Sequence, residues 1–247
     1  MSALLEGVEL SKRFSGLIAV NNLSFHINNG EIFSLIGPNG AGKTTLFNII
    51  AGVYAQDKGD LSFDGDNLKR FRSDQRCKKG IARTFQITKP FLNMTVFENV
   101  LLGSYFGSSI NVNLKSAKKT TSEAIEKIGL FDKSKLYAKN LNFPDRKKLE
   151  IARALATKPR LLLLDEVVGG LNPTEAQELA NIIVDINKSG VTIFMIEHVI
   201  KVVTKISDRI IVLNYGKKIA EGSPNEIISN KEVIEAYLGG IKDARNF

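Results

Sequence analysis

The chain is poor in residues that mark whole classes of protein. It has one cysteine, Cys77, and two histidines in 247 residues. A single cysteine forms no internal disulfide and points to a reducing compartment. Its polar surroundings, DQRCKKG, give it no reactive setting. No apolar run reaches the roughly 18 residues that a membrane-spanning helix needs. The first residues also lack the pattern of a secretory leader, so the chain is expected to be soluble or held at a membrane by a partner. There is no internal repeat and no low-complexity linker. Lys and Arg (34) outnumber Asp and Glu (26), for a net charge of +8. The basic residues are scattered, with few aromatics between them. That is a generally basic surface and not a base-stacking platform for nucleic acid.

A hydrophobic content of 43% is ample for a core. The informative stretch is Gly37 to Thr45, GPNGAGKTT, which follows the apolar Ile32, Phe33, Leu35 and Ile36 and precedes a helical pattern (Leu46, Ile49, Ile50). This is the phosphate-binding loop G-x-x-x-x-G-K-[ST] in its strand–loop–helix context. Gly37, Gly40 and Gly42 allow a tight turn and close approach to a ligand. Pro38, Asn39, Ala41 and Thr45 complete the loop. Its N–H groups form an anion nest, and the following helix adds the positive end of its dipole. Lys43 brings a charge to the outer phosphates, and Thr44 offers a hydroxyl to Mg²⁺.

Leu161 to Leu164 form a continuous apolar run, as a strand buried on both faces requires. Asp165 stands at its C-terminal end, where ligands bind in open α/β sheets. An Asp there holds Mg²⁺, and Glu166 is placed to polarise a water, the pairing that phosphoryl transfer requires. Strands are expected at Leu4–Leu10, Ile18–Ile27, Leu61–Phe63, Val191–Ile196 and Arg209–Leu213. Helices are expected from about Thr95, at Thr174–Asn187, at Ile200–Ile206 and at Lys231–Leu238. The late alternation gives a parallel sheet with covering helices, and the opening strands give an antiparallel portion beside it.

These residues resemble the ATP-binding subunit of an ABC transporter over nearly the whole chain. The resemblance implies an α/β fold: a P-loop NTPase (RecA-like) core with an antiparallel β subdomain and an inserted helical subdomain. It implies one domain over residues 1–247, with the insertion at about 87–157 and a helical tail at about 224–247. Phe14 falls at the adenine-stacking position. Gln86, in RTFQ, matches the glutamine that reaches the metal and water site. Asp165 and Glu166 match the metal-holding and catalytic acids. His198, in IEH, matches the histidine that contacts the γ-phosphate. Gly169, Gly170, Leu171 and Asn172 match the D-loop, with Asn172 in place of the usual Asp. Each alone fits an ordinary core or surface position; their shared order and spacing carries the assignment. His26 stays a surface histidine.

A narrower resemblance, to the branched-chain amino acid permease group, rests on GLIAVNNLSF, RTFQ, KKLEIARALAT, GLNPTE, FMIEH and EVIEAYLG. It implies ATP and Mg²⁺ as cofactors. The implied partners are a second ATPase in a heterodimer, transmembrane permease subunits, and a periplasmic or extracellular solute-binding protein, with no nucleic acid. The implied place is the cytoplasmic face of the inner membrane. The expected work is ATP-driven import of branched-chain amino acids or related small polar solutes. The alternatives are an ATPase of a lipopolysaccharide-export-type system or a soluble ABC ATPase outside transport. Val96 and Phe97 are candidates for the permease contact.

One stretch departs from the pattern. The signature loop, which resembles LSGGQ in the family and completes the other subunit's site, reads Leu141-Asn142-Phe143-Pro144-Asp145. Phe143 adds bulk where glycine permits close approach, and Pro144 has no N–H to offer. Asp145 would repel a γ-phosphate if it pointed inward. The expectation is asymmetry: this chain's own half-site is complete, while the half it lends to a partner works poorly.

Overall fold

The computed structural model describes residues 3–85, 89–107 and 112–238. In chain order the elements begin β1 (Ala3–Phe14), β2 (Leu17–Asn28), β3 (Ile32–Ile36), α1 (Lys43–Ile50), β4 (Lys58–Phe63) and β5 (Asp66–Asn67). They continue with α2 (Ser73–Lys78), β6 (Ile81–Arg83), α3 (Val96–Phe106), α4 (Leu114–Lys127), α5 (Phe143–Leu155), β7 (Leu161–Asp165) and α6 (Pro173–Lys188). The last are β8 (Thr192–Ile196), α7 (Ile200–Ile206), β9 (Arg209–Asn214), β10 (Lys217–Gly222), α8 (Pro224–Ile228) and α9 (Lys231–Leu238). The chain forms two compact units, one of residues 1–71 with 194–247 and one of residues 72–193. Among the described residues no helix is long and apolar enough to cross a membrane.

The first unit contains an antiparallel sheet in the order β2-β1-β4-β5. The turn at Asp64–Gly65, with φ of 53° and 81°, joins β4 to β5, as Asp and Gly in a two-residue hairpin require. Beside it lies a mixed arrangement: β9 runs parallel to β3 and antiparallel to β10. All five residues of β3 are buried, which is why its sequence shows no alternation. Phe33, Phe47 and Phe25 pack around Phe194, with ring centroids 5.3, 4.8 and 6.1 Å away. This cluster roots the strand that carries the phosphate-binding loop. Arg209 joins β9 to Glu31 at 2.7 Å, and to Glu221 of β10, over the Phe33 ring.

In the second unit β6 runs parallel to β7, and helices α3, α4 and α5 pack together. Thr95 caps α3 in a reciprocal capping box with Glu98, a local signal that explains why the helix starts there. Asn99, fully buried, bonds the carbonyls of Phe91, Met94 and Thr95 and accepts from the Phe91 N–H. It pins the segment that enters α3.

Candidate functional site

The phosphate-binding loop runs from the end of β3 into α1. Gly42, with φ of 98°, is the residue before the helix. A Cβ on it would lie 2.1 Å from the Ala19 carbonyl oxygen, and one on Gly37 2.1 Å from that of Leu213. No other residue type fits either position. Lys43 is buried, and its ammonium donates to the carbonyls of Gly37 (2.7 Å) and Pro38 (2.9 Å). The lysine is thereby folded back over its own loop. The first turn of α1 contains no acidic residue, so the dipole at this end is left to attract an anion.

A cavity of about 600 Å³ opens on the loop. Residues Gly37 to Ala41 form one side, and His198, Asn214 and Tyr215 lie around it. The remaining wall, Glu235, Ala236 and Tyr237, comes from α9. Sequence reasoning placed His198 here by resemblance, and the structure brings it to the loop. It missed the α9 wall, because nothing in a short amphipathic helix tells which surface it covers. Burial pushes the Tyr237 phenol pKa upward. Phe14 ends β1, partly exposed, and meets Tyr54 edge-on at 5.2 Å. Lys12 lies over the Phe14 ring and is fixed by Asp57 at 2.8 Å. Tyr54 therefore buttresses the Phe14 ring through an edge-on contact.

The acidic pair is built in the second unit. Asp165, 1% exposed, ends β7. Its N–H donates to the Thr84 hydroxyl (3.1 Å), and its Oδ2 accepts from Arg83 (2.8 Å). Its Oδ1 is buried with no hydrogen-bond partner among the described residues. Burial pushes the Asp165 carboxyl pKa up, while the Arg83 hydrogen bond and charge pull it down. The next residue, Glu166, has a left-handed backbone (φ 52°). A non-glycine residue in that region is strained, and such strain clusters at functional sites. The Glu166 carbonyl accepts from Lys147 (3.1 Å) and from the Gly169 N–H (3.3 Å). Gly170, with φ of 79°, continues the turn, and Asn172 then caps α6 reciprocally with Glu175. The Asn standing for the usual Asp is thus an effective N-cap.

Asn142 caps α5 by accepting from the Asp145 N–H at 2.9 Å, with Pro144 in the first turn. Asp145 is buried and paired with Lys133, so its charge is neutralised within the chain and does not stand open at the loop. Phe143 is half exposed, and Leu141 is buried. Gln86 lies outside the described residues. Val96 is fully buried core, whereas Phe97 lines a cavity of about 460 Å³ with Glu98, Phe131 and Lys135.

Two features fit the groups that the fold implies. The glycine cradle, Lys43 and the unopposed helix dipole suit a nucleotide's phosphates. The orphaned Oδ1 of Asp165 is an acceptor suited to a divalent cation. Compared with known proteins, residues 20–169 match the sequence profile of the ABC transporter family. The chain belongs to that family. Its members hydrolyse ATP to power transport, and the chain is such an ATPase. Residues 217–242 match the profile of the branched-chain amino acid ATP-binding cassette transporter. The chain is 42% identical over 245 residues to the high-affinity branched-chain amino acid transport ATP-binding protein LivG of Salmonella typhimurium, covering 93% of this chain and 95% of that protein. It is 36% identical to BraF of Pseudomonas aeruginosa, covering 96% and 98%. The crystal structure of the ADP conformation of MJ1267, an ATP-binding cassette of an ABC transporter, superposes with a TM-score of 0.88. It has 30% identity and covers 97% of this chain and 100% of that one.

Proposed function

We propose that this chain is the ATP-hydrolysing subunit of an importer of branched-chain amino acids or related small polar solutes. The observation that carries the solute class is the LivG likeness over 93% of the chain, joined by the separate match at residues 217–242. Lys43 and the loop amides hold the outer phosphates, and the Phe14–Tyr54 pair receives the adenine. Thr44, Asp165 and Gln86 would hold Mg²⁺, which when bound would supply positive charge against the phosphates. Glu166 orients the attacking water and takes up its proton. His198, on the cavity wall, steadies the γ-phosphate. Positioning and electrostatics supply most of the rate gain in such chemistry.

The proposed assembly pairs this chain with a second ATPase on the cytoplasmic face of the inner membrane, beneath two permease subunits that receive solute from a binding protein. The loop Leu141–Asp145 serves the partner's nucleotide. Reconstitution tests the reading: liposomes holding the permeases, both ATPases and a leucine-loaded binding protein should accumulate leucine only with hydrolysable ATP. ATP turnover with no solute uptake across branched-chain and short-amide solutes would remove the import assignment.

A further inference from the structure

We propose that Lys147 is a positioning residue through which the loop Leu141–Asp145 sets the geometry of Glu166 in the same chain. The proposal rests on the reading of Glu166 as the water-orienting acid and deepens it.

Lys147 lies on α5 and is only 5% exposed. A buried ammonium is costly unless its donors are used. Its Nζ donates to the Glu166 backbone carbonyl at 3.1 Å. That carbonyl also closes the turn with the Gly169 N–H. Because the Glu166 backbone is left-handed, its conformation persists only while its surroundings over-determine it. Rotating this peptide would swing the Glu166 side chain with it. The lysine contact is therefore one of the restraints on where the carboxylate stands.

The same lysine is tied to the signature loop. Phe143 precedes it by four residues, on the same helix face, and the Lys147 ammonium lies 5.5 Å from the Phe143 ring centroid. The ring also packs on Gly170: a Cβ there would meet Phe143 carbons at 3.2 and 3.4 Å. One rigid helical turn thus touches both ends of the Glu166–Gly170 turn, through Lys147 at one end and Phe143 at the other. One turn further on, Glu150 accepts from the Phe85 N–H at 2.6 Å, anchoring the same helix face. Phe143, which departs from the glycine of the family pattern, becomes a working part of this link. Displacement of the loop by what it docks against would carry Lys147 and Phe143 together and re-aim Glu166.

The test uses the full chain with its second ATPase subunit. Lys147→Met, which keeps length and removes the donor, should lower kcat about 10- to 100-fold, the scale of a 1 Å misplacement. Affinity of the chain for a fluorescent ATP analogue should stay within about twofold of wild type, since no phosphate contact is lost. Lys147→Arg, which retains donors, should recover most of kcat. Phe143→Ala should be non-additive with Lys147→Met, the double variant being no slower than Lys147→Met alone. A Lys147→Met variant with wild-type kcat overturns the proposal. So do fully multiplicative effects, or nucleotide affinity falling in step with turnover. If Lys147→Met does not fold, Lys147→Gln, uncharged and one atom shorter, carries the same cycle with Phe143→Ala. Glu166→Gln separates the two levels. If that variant turns over normally, the role of Glu166 fails and the relay with it. If it is inactive while Lys147→Met is silent, the relay alone fails.

Discussion

Arg83 on β6, whose register partner on β7 is Leu163, reaches two residues on to Asp165 in a 2.8 Å ion pair that engages only one carboxylate oxygen. The other oxygen, also buried, is left without a partner among the described residues. The pair therefore holds the acid in place while keeping one acceptor for a further ligand. Arg83→Met should leave a buried charge uncompensated and cost about 3–5 kcal/mol of unfolding free energy. Asp165→Asn in the same background should restore part of it. Urea melts of the three variants check this. An Arg83→Met protein as stable as wild type would mean that the pair is not a structural anchor.

The glycines of the phosphate-binding loop should differ in how they fail. Gly40 and Gly42 both have positive φ, but a Cβ on Gly40 meets nothing within 4 Å, whereas one on Gly42 strikes the Ala19 carbonyl. Gly40→Ala should cost about 1–2 kcal/mol, the left-handed penalty alone. Gly42→Ala should cost clearly more and abolish nucleotide binding. Calorimetric unfolding and nucleotide titration of both proteins make the comparison; equal losses would count against the close approach.

Glu150 gives a pH signature. Burial raises its carboxyl pKa above 4.5; the Phe85 N–H, Lys147 and Arg153 pull it down, and Asp165 adds to the rise. With the pKa raised in the folded state, the native protein holds a proton that the unfolded chain has released. Its stability contribution is therefore full below about pH 4.5 and declines as pH climbs through the folded pKa. Glu150→Gln can still accept the Phe85 N–H and does not titrate. The stability difference between the two proteins should be flat below about pH 4.5 and shift in favour of the variant toward neutrality. Denaturant melts across that range read it directly, and a constant difference would rule it out.

Turnover should depend on company. With Phe143 and Pro144 in the signature loop, the isolated chain should hydrolyse ATP at least about tenfold more slowly than the chain mixed with its second ATPase, the loss expected when an oxyanion-type donor is missing. Full activity of the isolated chain would end the asymmetric reading. In the mixture, Glu166→Gln should retain nucleotide and lower the hydrolysis rate by about 10²- to 10⁴-fold.

What could be read from sequence follows the range of the forces involved. Helices α7 and α9 occupy the spans expected from their apolar spacing, and the loop–helix unit at Gly37–Thr45 is local throughout. Strand β1 runs on to Phe14, past the expected Leu10, because irregular pairing and the positive φ of Glu9 break its alternation. Strand β10, KKIAEG, lies at the edge of its sheet and carries charges in place of an apolar pattern, so it left no signal to find. Short β6 is defined by pairing with β7, not by its own three residues. The position of Asp165 and Glu166 at the end of β7 was legible, but the contacts around them were not. Arg83 is 82 residues from Asp165, Glu150 is 65 from Phe85, and Lys147 is 19 from Glu166. Only the fold makes neighbours of them.

The wall that α9 contributes to the cavity on the glycine loop has a consequence for biosynthesis. Glu235 to Tyr237 leave the ribosome roughly 200 residues after the glycine loop they flank, a delay of about 10–40 s at ordinary elongation rates. Until then the nascent loop is an open shelf, so tight capture of ATP becomes a mark that α9 has been made, and chains cut short before α9 should be told apart from longer ones by their leaky grip on the nucleotide.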